Sequence, residues 1–434
     1  MIQISENTKK IDLLITDITQ LITVAGASNS PKRKSEMDDV GVIENGAIAI
    51  SGAKIVMVGE TGEVLAECKK RKIVGKKTKR IKTKGKIVMP GLIDPHSHLV
   101  HMGSRAHEYK AKIEGTTYED QHGKGKGIFF TVNMTRLASE EDLYKKGKET
   151  LEKVVRQGTT TIEIKSGYGL NREAEMKMLQ VIKRLRETIK NKITIVSTFL
   201  GAHAIPLEFK REEYIELVIK MMPEIKEKEL AEFCDIFCDK LAFTAEESLK
   251  ILGEAQKCGL KLKAHIDQTS DNGGHRLIKE LPMVSVDHMD FTDLEKLDGQ
   301  EKSVVVLLPG VTLHLMEILK KDFWSKRAQE FISKGLAVAL STDYNPGSCP
   351  CYSMQTIMKL GACLYRMTPE QVINASTINA AHAIGRANEI GSIEIGKKAD
   401  IIICDIADYK DLVNGFGDNK VEIVIKNGKV VAEN

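Results

Sequence analysis

Ile87-Val88-Met89-Pro90-Gly91-Leu92-Ile93-Asp94-Pro95-His96-Ser97-His98 reads as an apolar strand running into a turn that carries two histidines two residues apart. Alternate residues of an extended segment point to the same side. His96 and His98 therefore aim their rings at one point, just where the strand ends. Neutral imidazoles preset by a rigid element are half of a metal site. The other half has to come from elsewhere in the chain.

Outward from this stretch, strands alternate with helices. The first strand spans residues 87–93, and further apolar strand signals lie at 160–164, 193–199, 236–238, 260–264, 284–286, 304–308 and 337–340. Between them Glu140–Arg156, 173–188 and Ala245–Lys257 carry apolar residues at helical spacing. Continuous apolar strands suit a parallel sheet buried on both faces, and eight such units predict a (β/α)8 TIM-like barrel. A doubly wound sheet explains the alternation too, but the first strand is not followed by the Gly-rich phosphate turn of that fold. Both chain ends read as short strands with Gly and Asn turns. Segment 47–59 resembles segment 421–431, and Asn427-Gly428 between apolar runs signals a hairpin. The expectation is a small composite β-sandwich domain from residues 1–84 and 386–434, with the barrel occupying 85–385.

The 434 residues carry a net charge of only +4, which gives no reason to propose nucleic acid or a membrane surface as partner. The basic run Lys69-Lys70-Arg71-Lys72 has no interleaved aromatics and reads as a solvated hairpin face. No run approaches 18 apolar residues and the first residues are polar, so neither a membrane span nor a signal peptide is expected and the protein is read as cytoplasmic. The 8 scattered cysteines fit a reducing compartment. Cys349 and Cys351 lack a second pair to complete a sulfur metal site.

A barrel places its functional side chains at the C-terminal ends of strands. Five of the chain's 11 histidines fall there: His96 and His98 after the first strand, His203 after the third, His265 after the fifth and His288 after the sixth. Asp267 and Gln268 follow the fifth strand, and Asp343 follows the eighth. The simplest use of this set is one divalent metal, Zn or Fe, held by His96, His98, His265 and Asp343. Such a metal acidifies a water molecule. His288 on the neighbouring strand can exchange a proton, and His203 can hydrogen-bond a substrate oxygen.

The opening run resembles the signature of the amidohydrolase superfamily, and within it the chain is similar to the imidazolonepropionases of histidine degradation. The matching stretches include Gly103-Ser104-Arg105, Gly115-Thr116-Thr117-Tyr118, Ile164-Lys165-Ser166-Gly167-Tyr168-Gly169-Leu170, Gly201-Ala202-His203, His265-Ile266-Asp267-Gln268, Val286-Asp287-His288, Val306-Leu307-Leu308-Pro309-Gly310 and Thr342-Asp343-Tyr344-Asn345-Pro346-Gly347-Ser348. The resemblance implies hydrolysis of the ring amide of 4-imidazolone-5-propionate to N-formimino-L-glutamate, with one metal per chain and a homodimer. It also implies that Arg105, Tyr118, Tyr168, His203, Asn345, Gly347 and Ser348 hold the substrate. A guanidinium and nearby N–H or hydroxyl donors suit the propionate carboxylate.

Gln268 stands where some members carry Glu. An amide is no general base, so proton work falls to His288 and Asp343, with Gln268 orienting substrate or water. Lys126 replaces a glycine of many members and reads as pointing to solvent. Lys165 lies in a mononuclear-type context and is expected to be structural. The alternative is a related hydantoinase-type enzyme or heterocycle deaminase acting on another small ring. A catalytically dead metal-binding protein is a third reading, disfavoured by the intact ligand set.

Overall fold

The computed structural model describes residues 2–5, 8, 10–115, 126–316 and 324–434. Eight parallel strands follow one another in chain order through one sheet. They are β1 (Leu92–Asp94), β2 (Thr159–Lys165), β3 (Thr194–Ala202), β4 (Phe233–Cys238), β5 (Lys261–Ile266), β6 (Met283–His288), β7 (Val304–Leu307) and β8 (Ala337–Leu340). Helices Glu140–Arg156, Arg172–Thr188, Arg211–Glu227 and Ala245–Lys257 connect the earlier strands, and their apolar stripes join the strands in one large core. Ser139, Asn171 and Thr244 start three of them by accepting a hydrogen bond from a first-turn backbone N–H. The architecture is the TIM-like barrel expected from the alternation.

The seam between β1 and β8 is closed beyond the strand ends. The Asp343 N–H donates to His96 O at 3.0 Å, and the His98 N–H donates to Tyr344 O at 2.9 Å. The buried Asp94 carboxylate adds a second stitch. It accepts from the Thr342 N–H at 3.1 Å, the Thr342 hydroxyl at 2.6 Å and the Ser341 hydroxyl. These bonds place the histidine turn against the turn bearing Asp343.

The sequence reading made residues 87–93 one strand of the barrel. The structure divides them. Ile87–Pro90 pairs antiparallel with Ile401–Cys404 in the other sheet, and only Leu92–Asp94 enters the barrel. Gly91 is the crossing point, where a Cβ would sit 2.3 Å from Thr160 Cγ2. Its side-chain-free backbone lets one sheet pass directly into the other.

Both chain ends meet in that other sheet. It has nine strands, in the order Gln3–Ile4, Lys54–Glu60, Val42–Ser51, Leu13–Ile22, Ile87–Pro90, Ile401–Cys404, Val421–Lys426 and Lys429–Glu433, with Lys79–Lys82 parallel to Leu13–Ile22. Alternating residues part between its faces. Leu13, Ile15, Ile48 and Ile50 pack with Ile401, Ile403 and Ile425, whereas Leu14, Ala47 and Ala49 pack with Val64 and Cys68. Asn427 (φ 49°) and Gly428 (φ 74°) make the expected hairpin turn. The basic run is not a hairpin face. Lys69, Lys70 and Arg71 form the last turn of helix Thr61–Arg71, where cations complement the exposed carbonyl end. Segment 391–394 is irregular.

Replacing Asp94 by Ala would leave the Thr342 N–H and hydroxyl donors unpaired at the seam, while the Ser341 hydroxyl keeps the His96 carbonyl as acceptor. Denaturant unfolding of Asp94→Ala is expected to show a loss of about 1–3 kcal/mol; wild-type stability would mean the seam is held by its backbone bonds alone.

Candidate metal centre and active site

Three imidazoles converge at the top of the barrel. His96 Nε2 lies 3.2 Å from His98 Nε2, and His265 Nε2 lies 3.4 Å from His98 Nε2. Asp343 Oδ1 is 3.3 Å from His96 Nε2 and 3.2 Å from His98 Nε2. All four side chains are buried, and Asp343 Oδ1 has no hydrogen-bond donor among the described residues. Four lone-pair-bearing atoms packed this tightly away from water would repel one another without a shared cation. Three nitrogens and one carboxylate oxygen with no sulfur match a divalent metal such as Zn²⁺ or Fe²⁺.

The outward-facing ring nitrogens fix which atoms face the centre. His96 Nδ1 donates to Asp287 Oδ2 at 2.6 Å, and His265 Nδ1 donates to Asp235 Oδ1 at 3.1 Å. A carboxylate behind an imidazole keeps the proton on Nδ1 and leaves the Nε2 lone pair free. Burial lowers the pKa of His98, and takes His265 down to about 3 against the pull of Asp235. Burial and Lys165 also oppose charge on His96, but Asp287 and Asp343 outweigh them and raise its pKa to about 9. Those two carboxylates thus favour positive charge at the point where a cation would sit.

Asp235 and Asp287 were not assigned roles in the sequence reading. Asp235 had a signal, as a charged residue inside the apolar run Phe233-Cys234-Asp235-Ile236-Phe237. The barrel interior below the histidines is likewise charged: Glu163, Lys165, Asp235, Lys263 and Asp287 are each fully buried there.

His98, Arg105, Ile128, Tyr168, His203, Phe237, His265, Gln268, His288, Asp343, Asn345 and Ser348 line a cavity of about 400 Å³, open mouth included. His288 and Asp343 adopt left-handed backbone at φ 72° and 47°. For residues with a Cβ such conformations are strained and concentrate at functional sites. His288 Nδ1 has no hydrogen-bond partner among the described residues, with Asp290 Oδ2 3.6 Å away.

Two expected roles change. His203 Nδ1 lies 3.0 Å from the Gly167 carbonyl, which can only accept, so this nitrogen carries the proton. Burial, aided by His98 and His265, holds the pKa of His203 well below its usual value. The neutral ring has an accepting Nε2, suited to a substrate N–H rather than to an oxyanion. The Gly347 N–H, expected to meet the substrate carboxylate, donates to Asn345 Oδ1 at 2.8 Å, as the Ser348 N–H does at 2.7 Å. Gly347 instead lies flat on the guanidinium, where a Cβ would come within 2.1 Å of Arg105 Nη1.

Arg105 is aimed by Glu108, whose Oε2 accepts from Nε at 2.9 Å. Its Nη2 is buried without a partner among the described residues. Ser348 Oγ accepts from Asn345 Nδ2 at 2.7 Å, leaving the hydroxyl proton free to donate. Lys126 is exposed, as read from sequence, whereas Tyr118 lies outside the described residues.

The sequence model of the Amidohydrolase family matches residues 87–431. An imidazolonepropionase from Alkaliphilus oremlandii (strain OhILAs) is 47% identical, with 98% of each chain covered. One from Geobacillus kaustophilus (strain HTA426) is 43% identical over 96% of this chain and 97% of its own. Among solved structures, E. coli guanine deaminase superposes with a TM-score of 0.72 at 15% identity, covering 97% of this chain and 99% of its own. An adenosine deaminase from Xanthomonas campestris with bound zinc gives 0.62 at 17%, covering 97% and 93%.

Replacing His265 removes one of three nitrogens and the group held by Asp235. Metal analysis of dialysed His265→Ala is expected to show background metal content; retention of a stoichiometric ion would remove His265 from the ligand set.

Proposed function

The chain belongs to the imidazolonepropionases of the amidohydrolase family, and from that premise we propose how its own residues hydrolyse the cyclic amide of 4-imidazolone-5-propionate to N-formimino-L-glutamate in histidine degradation. The observation that carries the reading is the pairing of three histidines and the Asp343 carboxylate with a buried guanidinium whose Nη2 has no partner among the described residues, at one cavity.

The substrate has two parts, and the cavity offers a partner for each. Its propionate is an anion that fits the free Nη2 edge of Arg105, with the Ser348 hydroxyl beside it. Glu108 and the Gly347 backbone hold the guanidinium in place, so little side-chain freedom is lost on binding. The ring then lies toward the histidines, where His203 Nε2 accepts a ring N–H and Tyr168 packs beside it. The His98 and His203 rings are stacked with centroids 5.0 Å apart, so His98 braces the His203 ring.

His96, His98, His265 and Asp343 would hold a single Zn²⁺ or Fe²⁺, which would supply Lewis-acid chemistry toward water and the ring carbonyl. The remaining proton work falls to this chain. Gln268 lines the cavity, but its amide neither takes nor gives a proton at neutral pH and serves to orient. His288, with Nδ1 unengaged and Asp290 nearby, receives a proton and returns it to the leaving ring nitrogen. The Asp343 carboxylate is held well below its usual pKa; burial opposes this, but the imidazoles of His96 and His98 beside it prevail. It stays ionised, able to accept a proton only transiently. The same reading makes the protein a cytoplasmic homodimer with a barrel domain at 85–385 and a composite sheet domain at 1–84 and 386–434.

Turnover of imidazolone propionate, with metal content measured on the same sample, tests the whole assignment; a metal-loaded protein that leaves this ring intact would refute it. His288→Ala is expected to keep its metal and lose kcat, and full activity would end its proton role. Arg105→Ala is expected to raise KM by about 10–100-fold, matching a charge-assisted pair of about 1.5–3 kcal/mol; unchanged kinetics would take Arg105 out of the carboxylate site.

A further inference from the structure

Lys165 is the last residue of β2 and is fully buried. Its ammonium lies 2.6 Å from Asp235 Oδ2, 3.1 Å from Glu163 Oε1 and 3.5 Å from Asp287 Oδ2. Asp235 and Asp287 are the two carboxylates behind His265 and His96. Asp235 spans the gap, with Oδ2 on Lys165 and Oδ1 accepting from His265. In Asp287 the oxygen facing Lys165 is the one that accepts from His96, while Oδ1 accepts from the Ser285 hydroxyl at 2.8 Å. One cation thus touches both groups that orient two of the three imidazoles.

The strands explain how one residue reaches both. Lys165, Asp235 and Asp287 stand on β2, β4 and β6, and alternate strands of such a barrel contribute side chains to a common interior layer. His265 on β5 pairs in register with Asp287 on β6 and Phe237 on β4. It therefore rises between the two carboxylates. Without Lys165, two like-charged carboxylates would face each other across a dry interior and turn away. That movement releases an imidazole from its orientation.

Lys263 overlaps with this function only in part: its charge acts on Asp287 through space, but it touches neither Asp287 nor Asp235. Its ammonium donates to the Pro95 carbonyl at 2.8 Å and to Glu163. It supports the turn before His96 and balances Glu163, which also meets Lys165.

We propose that Lys165 is a positioning residue for the metal centre, acting on His96 and His265 only through Asp287 and Asp235. The proposal rests on the reading of the three histidines and Asp343 as a metal site. Its consequence is a specific non-additivity. Lys165 matters for metal affinity while the two carboxylates are charged, and ceases to matter once they are neutral amides.

The test is competitive titration of the full-length, chelator-stripped protein with Zn²⁺ near neutral pH, with thermal melting of each variant alongside. Lys165→Met is expected to weaken Zn²⁺ binding by about 10–100-fold, the usual size of such outer contacts. The double variant Asp235→Asn/Asp287→Asn is expected to be weakened as well. Adding Lys165→Met to that double variant is expected to change its affinity by no more than about twofold, as residues acting as one unit do. Wild-type affinity in folded Lys165→Met would overturn the proposal. Should Lys165→Met alone not fold, the triple and double variants decide: equal affinities support the proposal, and a further loss of about tenfold overturns it. Failure of the wild-type protein to bind Zn²⁺ would instead overturn the metal reading itself.

Discussion

A charge taken out of water has to find an opposite charge or a hydrogen-bond partner. Five fully buried charged residues fill the barrel below the histidines, and they satisfy one another across strands β2, β4, β5 and β6. The orientation of His96 and His265 follows from that pairing, because the carboxylates they donate to are the ones Lys165 engages. The apolar core lies mainly between barrel and helices. The barrel's upper interior is thus built as an electrostatic mount, in contrast to the branched apolar layers usual in this fold.

The cavity above the mount repeats the device with different parts. Asn345 folds the turn 343–348 by accepting two backbone N–H groups and donating to Asp343 O and Ser348 Oγ. That turn presents Asp343 to the histidines and lays Gly347 on Arg105. One loop therefore reaches both the histidine end and the Arg105 end of the cavity, and fixes the distance between them.

Much of this was legible in the chain. Parallel buried strands are continuous apolar runs, and every barrel strand except β7 ends at or just before a polar residue, so the barrel and the positions of His96, His98, His203, His265, His288 and Asp343 could be read from order alone. What sequence could not carry was direction. That Gly347 N–H is spent on Asn345, or that His203 presents an acceptor, depends on a neighbour's carbonyl or amide brought close only by folding. The division of 87–93 between two sheets was hidden because both halves are equally apolar; only the 2.3 Å approach of Thr160 shows what Gly91 is for. The helix Thr61–Arg71 was obscured by its weak apolar stripe, in which Val64 and Cys68 do the packing while Glu63, Glu67, Lys69 and Lys70 lie on other faces.

The stitched seam has a bearing on how the protein is made. Asp94 and Thr342 are 248 residues apart, and the histidine turn lies on one side of that join with Asp343 on the other. A growing chain on the ribosome carries His96 and His98 early, His265 midway and Asp343 near the end. Closing so long a loop is slow relative to local contacts. The four buried atoms therefore come together only when the last strand has docked on the first. A metal held by all four would be a property of the finished barrel alone, denied to nascent or truncated chains.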